Sequence, residues 1–382
     1  MTVMTLDPPQ SPPPGPRPGG LPGVERVGVT AYTVPTDRPE SDGTLEWDAT
    51  TIVIAQAHAG DVAGLGYTYC HPAAAEVIRQ TLSPIVTSGH ELDVRQCWQQ
   101  MMSAVRNVGL PGIAACAISA VDAALWDLMA RQLGLPLAVA LGAAHEHVPV
   151  YGSGGFTSYS ERELTEQLAD WVGEGLSSVK MKVGRDPARD ADRAAAARRA
   201  IGAEVSLMVD ANGAYTHEQA RSLAAQFGEQ GVVWFEEPVS SDDLAGLARL
   251  RLAAPPGMEL AAGEYGYTPW YFARMLNADA VGCLQADVTR CCGITGFLEV
   301  AALCSAYGVD LSAHCAPQLS AHACAAVRRL RHLEYFHDHV RIEAMLFDGC
   351  LPAQQGVIRP CGAGLGNGLA LKHADAERYR VA

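Results

Sequence analysis

Three acidic residues, each closing a short apolar segment, constrain this chain more than any other feature. They are Asp210 in Leu207-Met-Val-Asp-Ala-Asn-Gly213, Glu236 in Val232-Val-Trp-Phe-Glu-Glu-Pro238 and Glu264 in Leu260-Ala-Ala-Gly-Glu264. They stand 26 and 28 residues apart, the length of one strand, one helix and two loops. Parallel strands need a crossover helix between them, so the beat reads as consecutive βα units. In a closed barrel of such units, strand-end carboxylates converge on the C-terminal face, where barrels carry their chemistry. Neighbouring carboxylates repel one another unless a hard cation sits among them. A divalent metal, Mg²⁺ first, is therefore expected at Asp210, Glu236 and Glu264.

The same beat extends both ways. Strands are expected over Val148–Gly152, Ser178–Val183, Ser206–Asp210, Val232–Glu236, Glu259–Glu264, Cys283–Ala286, Asp310–His314 and Leu333–Tyr335. Helical patterns fall between them at Glu161–Val172, Asp186–Ile201, His217–Phe227, Asp242–Leu252, Pro269–Leu276, Ile294–Tyr307 and Leu319–Arg329. No eighth helix is legible, so the expectation is an α/β fold of (β/α)7β type, a modified TIM barrel. Before it, Val27–Val34, Ala49–Ala57 and Val62–Tyr69 read as an antiparallel meander. Helices Ala73–Ile85, Asp93–Val108 and Ala114–Gln132 follow. Strands and then helices, ahead of any βα alternation, indicate a separate α+β domain. The chain thus divides into a flexible Pro-rich tail (1–20), an α+β capping domain (21–145), a barrel (146–350) and a C-terminal segment (351–382) returning to the cap. The segment Pro35-Thr-Asp-Arg-Pro-Glu-Ser-Asp-Gly43 reads as a polar loop.

Composition excludes some function classes. A formal charge of −14 argues against nonspecific binding to nucleic acid or an anionic membrane. No apolar run reaches the ~20 residues of a bilayer span, and the N-terminus lacks a basic segment followed by an apolar core. The eleven cysteines are odd in number and form no CxxC pair. They read as small core residues in a reducing cytoplasm.

Candidate proton carriers flank the acidic series. Lys180 and Lys182 are two apart on one strand and so share a face. Mutual repulsion and burial are expected to lower the pKa of at least one, as a general base requires. Asp287 follows the sixth barrel strand and His314 ends the seventh, an arrangement in which a carboxylate fixes the imidazole tautomer. Glu334, on the eighth, is expected to be a carboxyl with a raised pKa, donating a hydrogen bond to a developing oxyanion.

Taken together, Lys180-x-Lys182, Asp210-Ala-Asn212, Glu236-Glu237-Pro238, Gly263-Glu264, Asp287, His314 and Glu334 resemble the enolase superfamily, in its mandelate racemase subgroup. Ala117-Ile-Ser-Ala-Val-Asp-Ala-Ala-Leu-Trp-Asp127 resembles the last helix of that family's capping domain. Cys291-Cys292-Gly293 departs from it, since related chains carry glycines there. The resemblance implies one Mg²⁺ held by Asp210, Glu236 and Glu264. It implies a base at Lys182 assisted by Lys180, an opposing acid/base at His314 oriented by Asp287, and a hydrogen-bond donor to the substrate carboxylate at Glu334. It also implies a cap loop closing over the substrate, and a homo-oligomer.

Such a site would remove the proton α to a carboxylate and stabilise the resulting enediolate. Dehydration of a sugar acid to a 2-keto-3-deoxy acid is the favoured outcome, with racemisation or epimerisation of a 2-hydroxy acid the alternative. The polar loop Pro35–Gly43, Arg38 above all, suits a polyhydroxylated small-molecule substrate. Asn212 and Tyr67 are the other candidate substrate contacts. A barrel that binds metal or an acid sugar without turnover is disfavoured by the presence of both Lys182 and His314. A dinucleotide-linked dehydrogenase is disfavoured because Gly362-Ala-Gly-Leu-Gly-Asn-Gly368 follows no strand.

Overall fold

The computed structural model describes residues 20–382, so the expected tail lies outside the described residues apart from Gly20. The cap opens with an antiparallel sheet of β1 (Arg26–Ser41), β2 (Glu46–Ala59) and β3 (Val62–Tyr69), in that order. Most of the expected loop Pro35–Gly43 belongs to β1, and the ladder to β2 breaks register only between Pro35 and Glu40. The loop reading followed the polar composition. The structure instead buries Glu40, Ser41 and Asp42 and bulges out the residues before them.

Helices α1 (Ala73–Val77) and α2 (Ser83–Val86) are joined by a π turn over Ile78–Leu82, so the expected helix is present with one irregular turn. Next come α3 (Val94–Ala104), whose first turn is capped by Asp93, and α4 (Ile113–Gln132). The backbone of α4 lies directly on β3. A Cβ at Gly64 would sit 2.2 Å from Ala124 O, and one at Gly66 2.3 Å from Ala120 O, so only glycine permits this approach. By length and composition alone α4 could cross a membrane, but it carries Asp122, Asp127 and Arg131, and 89% of its most apolar window is buried inside the protein. Its two buried acids tie elements together. Asp122 accepts from Thr295 N and Oγ1, and Asp127 accepts from Leu65 N and Asn367 N.

A short α5 (Leu137–Ala140) leads into the barrel. Its parallel strands are β4 (Val148–Gly154), β5 (Ser178–Lys182), β6 (Ser206–Asp210), β7 (Val232–Glu236), β8 (Glu259–Ala262), β9 (Cys283–Ala286), β10 (Asp310–Ala313) and β11 (Leu330–Phe336). They pair in sequence order, and β11 returns to β4 through Leu333↔Val150 to Phe336↔Ser153, which closes the ring. The crossovers carry α6 (Glu161–Gly173), α7 (Asp190–Ile201), α8 (His217–Glu229), α9 (Leu244–Ala253), α10 (Pro269–Asn277), α11 (Gly293–Tyr307) and α12 (Pro317–Ala325). An eighth helix, α13 (His337–Leu346), does follow β11. Sequence periodicity hid it because Asp338, His339 and Glu343 stand among its buried positions beside Ile342 and Leu346.

The barrel interior is layered. Tyr151, Met208, Trp234, Ala261 and Cys283 form a separate buried apolar cluster, and the polar strand-end residues lie beyond it. Past α13, β12 (Phe347–Asp348), β13 (Val357–Ile358) and β14 (Ala370–Leu371) are short; β13 pairs with β4, and β12 with β14. The last residues hydrogen-bond to the cap strand, with Ala31 N donating to Ala382 O and Val381 N to Ala31 O. All eleven cysteines are unpaired.

Candidate active site

Strand register sets the site. Lys182 on β5, Asp210 on β6 and Glu236 on β7 are successive Cα partners across the parallel ladders, so they stand at one level. Glu264 reaches the same cluster from beyond the end of β8. Gly263 makes that possible: its φ is +133°, and a Cβ there would lie 2.1 Å from Gln285 O. The three carboxylates are buried and offer ligand atoms within 4.8 Å of one another.

The donor set fits a small hard cation. All three ligands are oxygens, which suits Mg²⁺. Burial, reinforced by the charge of Asp210, pushes the Glu236 carboxyl up to about 8, against the opposite pull of Lys180. A bound cation would relieve that repulsion. Glu264 Oε2 lacks an aligned hydrogen bond, although His314 Nε2 lies 3.1 Å away.

The two lysines do not behave as expected. Lys180 Nζ is 2.7 Å from Glu236 Oε1 and 2.9 Å from Glu334 Oε1, while Lys182 Nζ is 2.5 Å from Asp210 Oδ2. Burial, the largest influence, would lower the pKa of Lys182, but the carboxylates of Asp210, Glu264 and Glu334 together outweigh burial and Lys180, and the ammonium is held above its ordinary range. Charge pairing with the acids, which a strand pattern does not reveal, reverses the expected sign.

Opposite, His314 Nδ1 lies 2.8 Å from Asp287 Oδ2, and Asp287 Oδ1 accepts from Thr289 N and Oγ1. The expected dyad geometry is therefore present. Burial would lower the imidazole pKa, yet Cys315, Glu264 and Glu334 raise it well above the usual value. Glu334 departs from expectation. Burial alone would raise its pKa, but Lys180 and His314 hold it below the ordinary carboxylate range. It is an acceptor, taking hydrogen bonds from Ser153 Oγ at 2.5 Å and Cys315 N at 3.3 Å.

The candidate substrate contacts separate. Asn212 donates its backbone N–H to Asp210 Oδ1, and its own Oδ1 is buried without a partner. It lines a cavity of about 630 Å³ with Glu237, Tyr265, Tyr267, Tyr271 and Arg274. Arg38 pairs with Glu163 on α6 at 2.8 Å. Tyr67 is fully buried, donating to Glu343 Oε1 and accepting from Leu319 N. Neither partnership was legible in the sequence, because strand and loop positions say nothing about which way a long side chain finds its partner.

Several residues at the site escaped sequence reasoning. Cys315 Sγ is 3.3 Å from His314 Nε2, and its position next to His314 was the one available signal. Arg290 Nε lies 3.6 Å from Asp287 Oδ2 and its Nη1 3.8 Å from Glu264 Oε1, bridging the two flanks. Glu237 is buried with Oε1 unpartnered. Asn212, Glu237, Cys315 and Ala316 all hold left-handed backbone, so the strain falls at the strand ends where the site lies. Above it, Gly43 of the cap rests on the chain just past Lys182 and Asp210. A Cβ there would meet Ala211 O at 2.6 Å and Val183 O at 2.8 Å.

A cap of sheet and helices over a (β/α) barrel with strand-end carboxylates defines a barrel enzyme of enolase type. The chain belongs to the mandelate racemase/muconate lactonizing enzyme family of the enolase superfamily. Residues 28–142 match the mandelate racemase/muconate lactonizing enzyme N-terminal domain, and residues 163–373 the enolase C-terminal domain-like family. A 3,6-anhydro-alpha-L-galactonate cycloisomerase from Streptomyces coelicolor is 32% identical over 343 residues, 86% of this chain and 94% of that one. A mandelate racemase/muconate lactonizing enzyme-like protein from Rubrobacter xylanophilus superposes with a TM-score of 0.92 at 52% identity, covering 94% of this chain and 100% of that one. The L-talarate/galactarate dehydratase of Salmonella typhimurium, liganded with Mg and L-lyxarohydroxamate, superposes at 0.87 with 27% identity, covering 98% and 97%. The chain is accordingly a lyase or an isomerase of that superfamily.

Proposed function

We propose that this enzyme removes the proton α to the carboxylate of a sugar acid and dehydrates it to a 2-keto-3-deoxy acid. One observation carries the reading. The basic groups Lys182 and His314 stand at the two ends of a single carboxylate arc, the first against Asp210 and the second against Glu264. A proton can therefore leave from one side while another is delivered from the opposite side.

Asp210, Glu236 and Glu264 would hold Mg²⁺, which when bound neutralises charge that builds on the substrate carboxylate as the α-proton departs. Lys182, deprotonated, takes the α-proton. His314, protonated and held in orientation by Asp287, donates to the β-hydroxyl, which leaves as water. The enol so formed tautomerises to the keto acid. Lys180 and Glu334 hold each other in place, and Ser153 fixes Glu334. Asn212, through its unpartnered Oδ1, is the proposed contact to a substrate hydroxyl.

The likeness to an acid-sugar dehydratase and to an anhydrosugar-acid cycloisomerase supports this substrate class. The same two-flank arrangement favours a second reading, 1,1-proton transfer that epimerises a 2-hydroxy acid. Incubating the protein and Mg²⁺ with a panel of acid sugars in D₂O separates the two. Keto acid formation supports dehydration. Deuterium at the α-carbon with no keto acid supports epimerisation, and neither product from any acid tried would sink both.

A further inference from the structure

A second convergence of ligands lies away from the carboxylate arc, where the cap strand meets the barrel. Asp37 and Glu40 come from the bulged end of β1, and His337 opens α13 some three hundred residues later. One ligand atom from each falls within 4.8 Å of the other two. Glu40 has no solvent exposure; its Oε2 accepts from Trp47 Nε1 at 2.9 Å, and its Oε1 has no partner. A buried carboxylate oxygen left bare costs free energy unless something binds it.

No side-chain cation meets that need. Arg38 pairs outward with Glu163, and Arg341 is committed to Asp338 and to Pro35 O. No ion pair to Glu40 occurs among the described residues. Asp37 has His337 Nε2 at 3.2 Å, a separation between those of adjacent ligands in octahedral and tetrahedral sites with bonds of about 2.1 Å. The side chains of Asp37 and His337 are partly exposed, which leaves room for a water in a remaining position. One imidazole nitrogen with two carboxylates suits a borderline divalent ion, whereas the all-oxygen arc suits Mg²⁺.

We propose that Asp37, Glu40 and His337 form a second cation site, one that takes Zn²⁺ and fastens the cap strand to the barrel at the start of α13. Binding places the His337 proton on Nδ1 and frees Nε2 as the ligand. The ion adds a tie between β1 and the start of α13, beside the half-exposed Asp37–His337 contact and the hydrogen bond from Arg341 to Pro35 O. Cap closure thus gains a metal clasp separate from the proton chemistry.

The test is Zn²⁺ titration of the full-length protein in excess Mg²⁺, followed calorimetrically and by metal analysis after gel filtration. One Zn²⁺ per chain is expected in the wild type and in Asp210→Asn, which removes a ligand of the arc instead. Glu40→Gln keeps an acceptor for Trp47 and puts an amide where the bare oxygen was; it should weaken Zn²⁺ binding at least ~10-fold. His337→Ala should do the same, with thermal melting confirming that each variant is folded. No Zn²⁺ uptake by the wild type, or uptake lost in Asp210→Asn but kept in folded Glu40→Gln, overturns the proposal. Because the readout is metal content, failure of the proposed reaction would leave this result intact.

Discussion

Lys182 Nζ lies 2.5 Å from Asp210 Oδ2, and the two residues are Cα partners in the β5–β6 ladder. The proposed base is therefore stored as a buried ammonium against one of the proposed metal ligands. Lowering the negative charge at Asp210 is what would release it as a base, because that carboxylate is the largest influence opposing burial.

Replacing Lys182 by Ala should cut turnover by ~10² or more, and His314→Asn should do likewise, if each moves a proton. Isotope exchange distinguishes their roles: Lys182→Ala should lose α-deuterium exchange, whereas His314→Asn should keep exchange at the α-carbon while losing dehydration. Full turnover in either variant removes that residue from the chemistry.

Mg²⁺ should raise the melting temperature of the wild type, since a ligand that binds only the folded state stabilises it by mass action. Glu236→Gln breaks the three-carboxylate set and should abolish that rise. Differential scanning calorimetry with and without Mg²⁺ reads the effect directly, and an unchanged rise in Glu236→Gln would move the ion elsewhere.

Gly263→Ala should be destabilising by at least ~2 kcal/mol, because the residue holds a positive φ and its new Cβ would collide with Gln285 O. Urea unfolding checks the stability. Mg²⁺ affinity should fall together with it, since Gly263 delivers Glu264.

A pH dependence follows from Glu343, which is buried between the cap and the barrel and accepts from Tyr67 at 2.7 Å. Burial, opposed by the hydrogen bonds from Tyr67 and Gln318, pushes its carboxyl from 4.5 up to about 8. The folded state therefore keeps a proton that the unfolded chain has already lost. The contribution of Glu343 to stability is complete below its unfolded pKa and declines as pH rises toward about 8. In Glu343→Gln the fall in melting temperature over that window should be shallower than in the wild type. Equal slopes would show that Glu343 ionises normally.

Much of the fold is written locally. The βα beat identified all eight barrel strands within a residue or a few of their observed ends, because strand and crossover lengths repeat along the chain. It missed α13, whose buried face carries Asp338, His339 and Glu343, since apolar periodicity cannot register a helix that buries charge.

The chain by itself determined that Lys182, Asp210, Glu236, Glu264 and His314 would meet, since each stands at a strand end and a closed parallel barrel gathers strand ends on one face. Only the tertiary structure decided what each side chain touches there. It raised the Lys182 pKa where the strand pattern suggested lowering, made Glu334 an acceptor, and turned Arg38 to Glu163 and Tyr67 to Glu343. It also brought Asp37 and Glu40 to His337. The physical reason is range. Backbone periodicity is set by neighbours in sequence, whereas charge pairing and burial are set by whichever segments pack together, here separated by most of the chain.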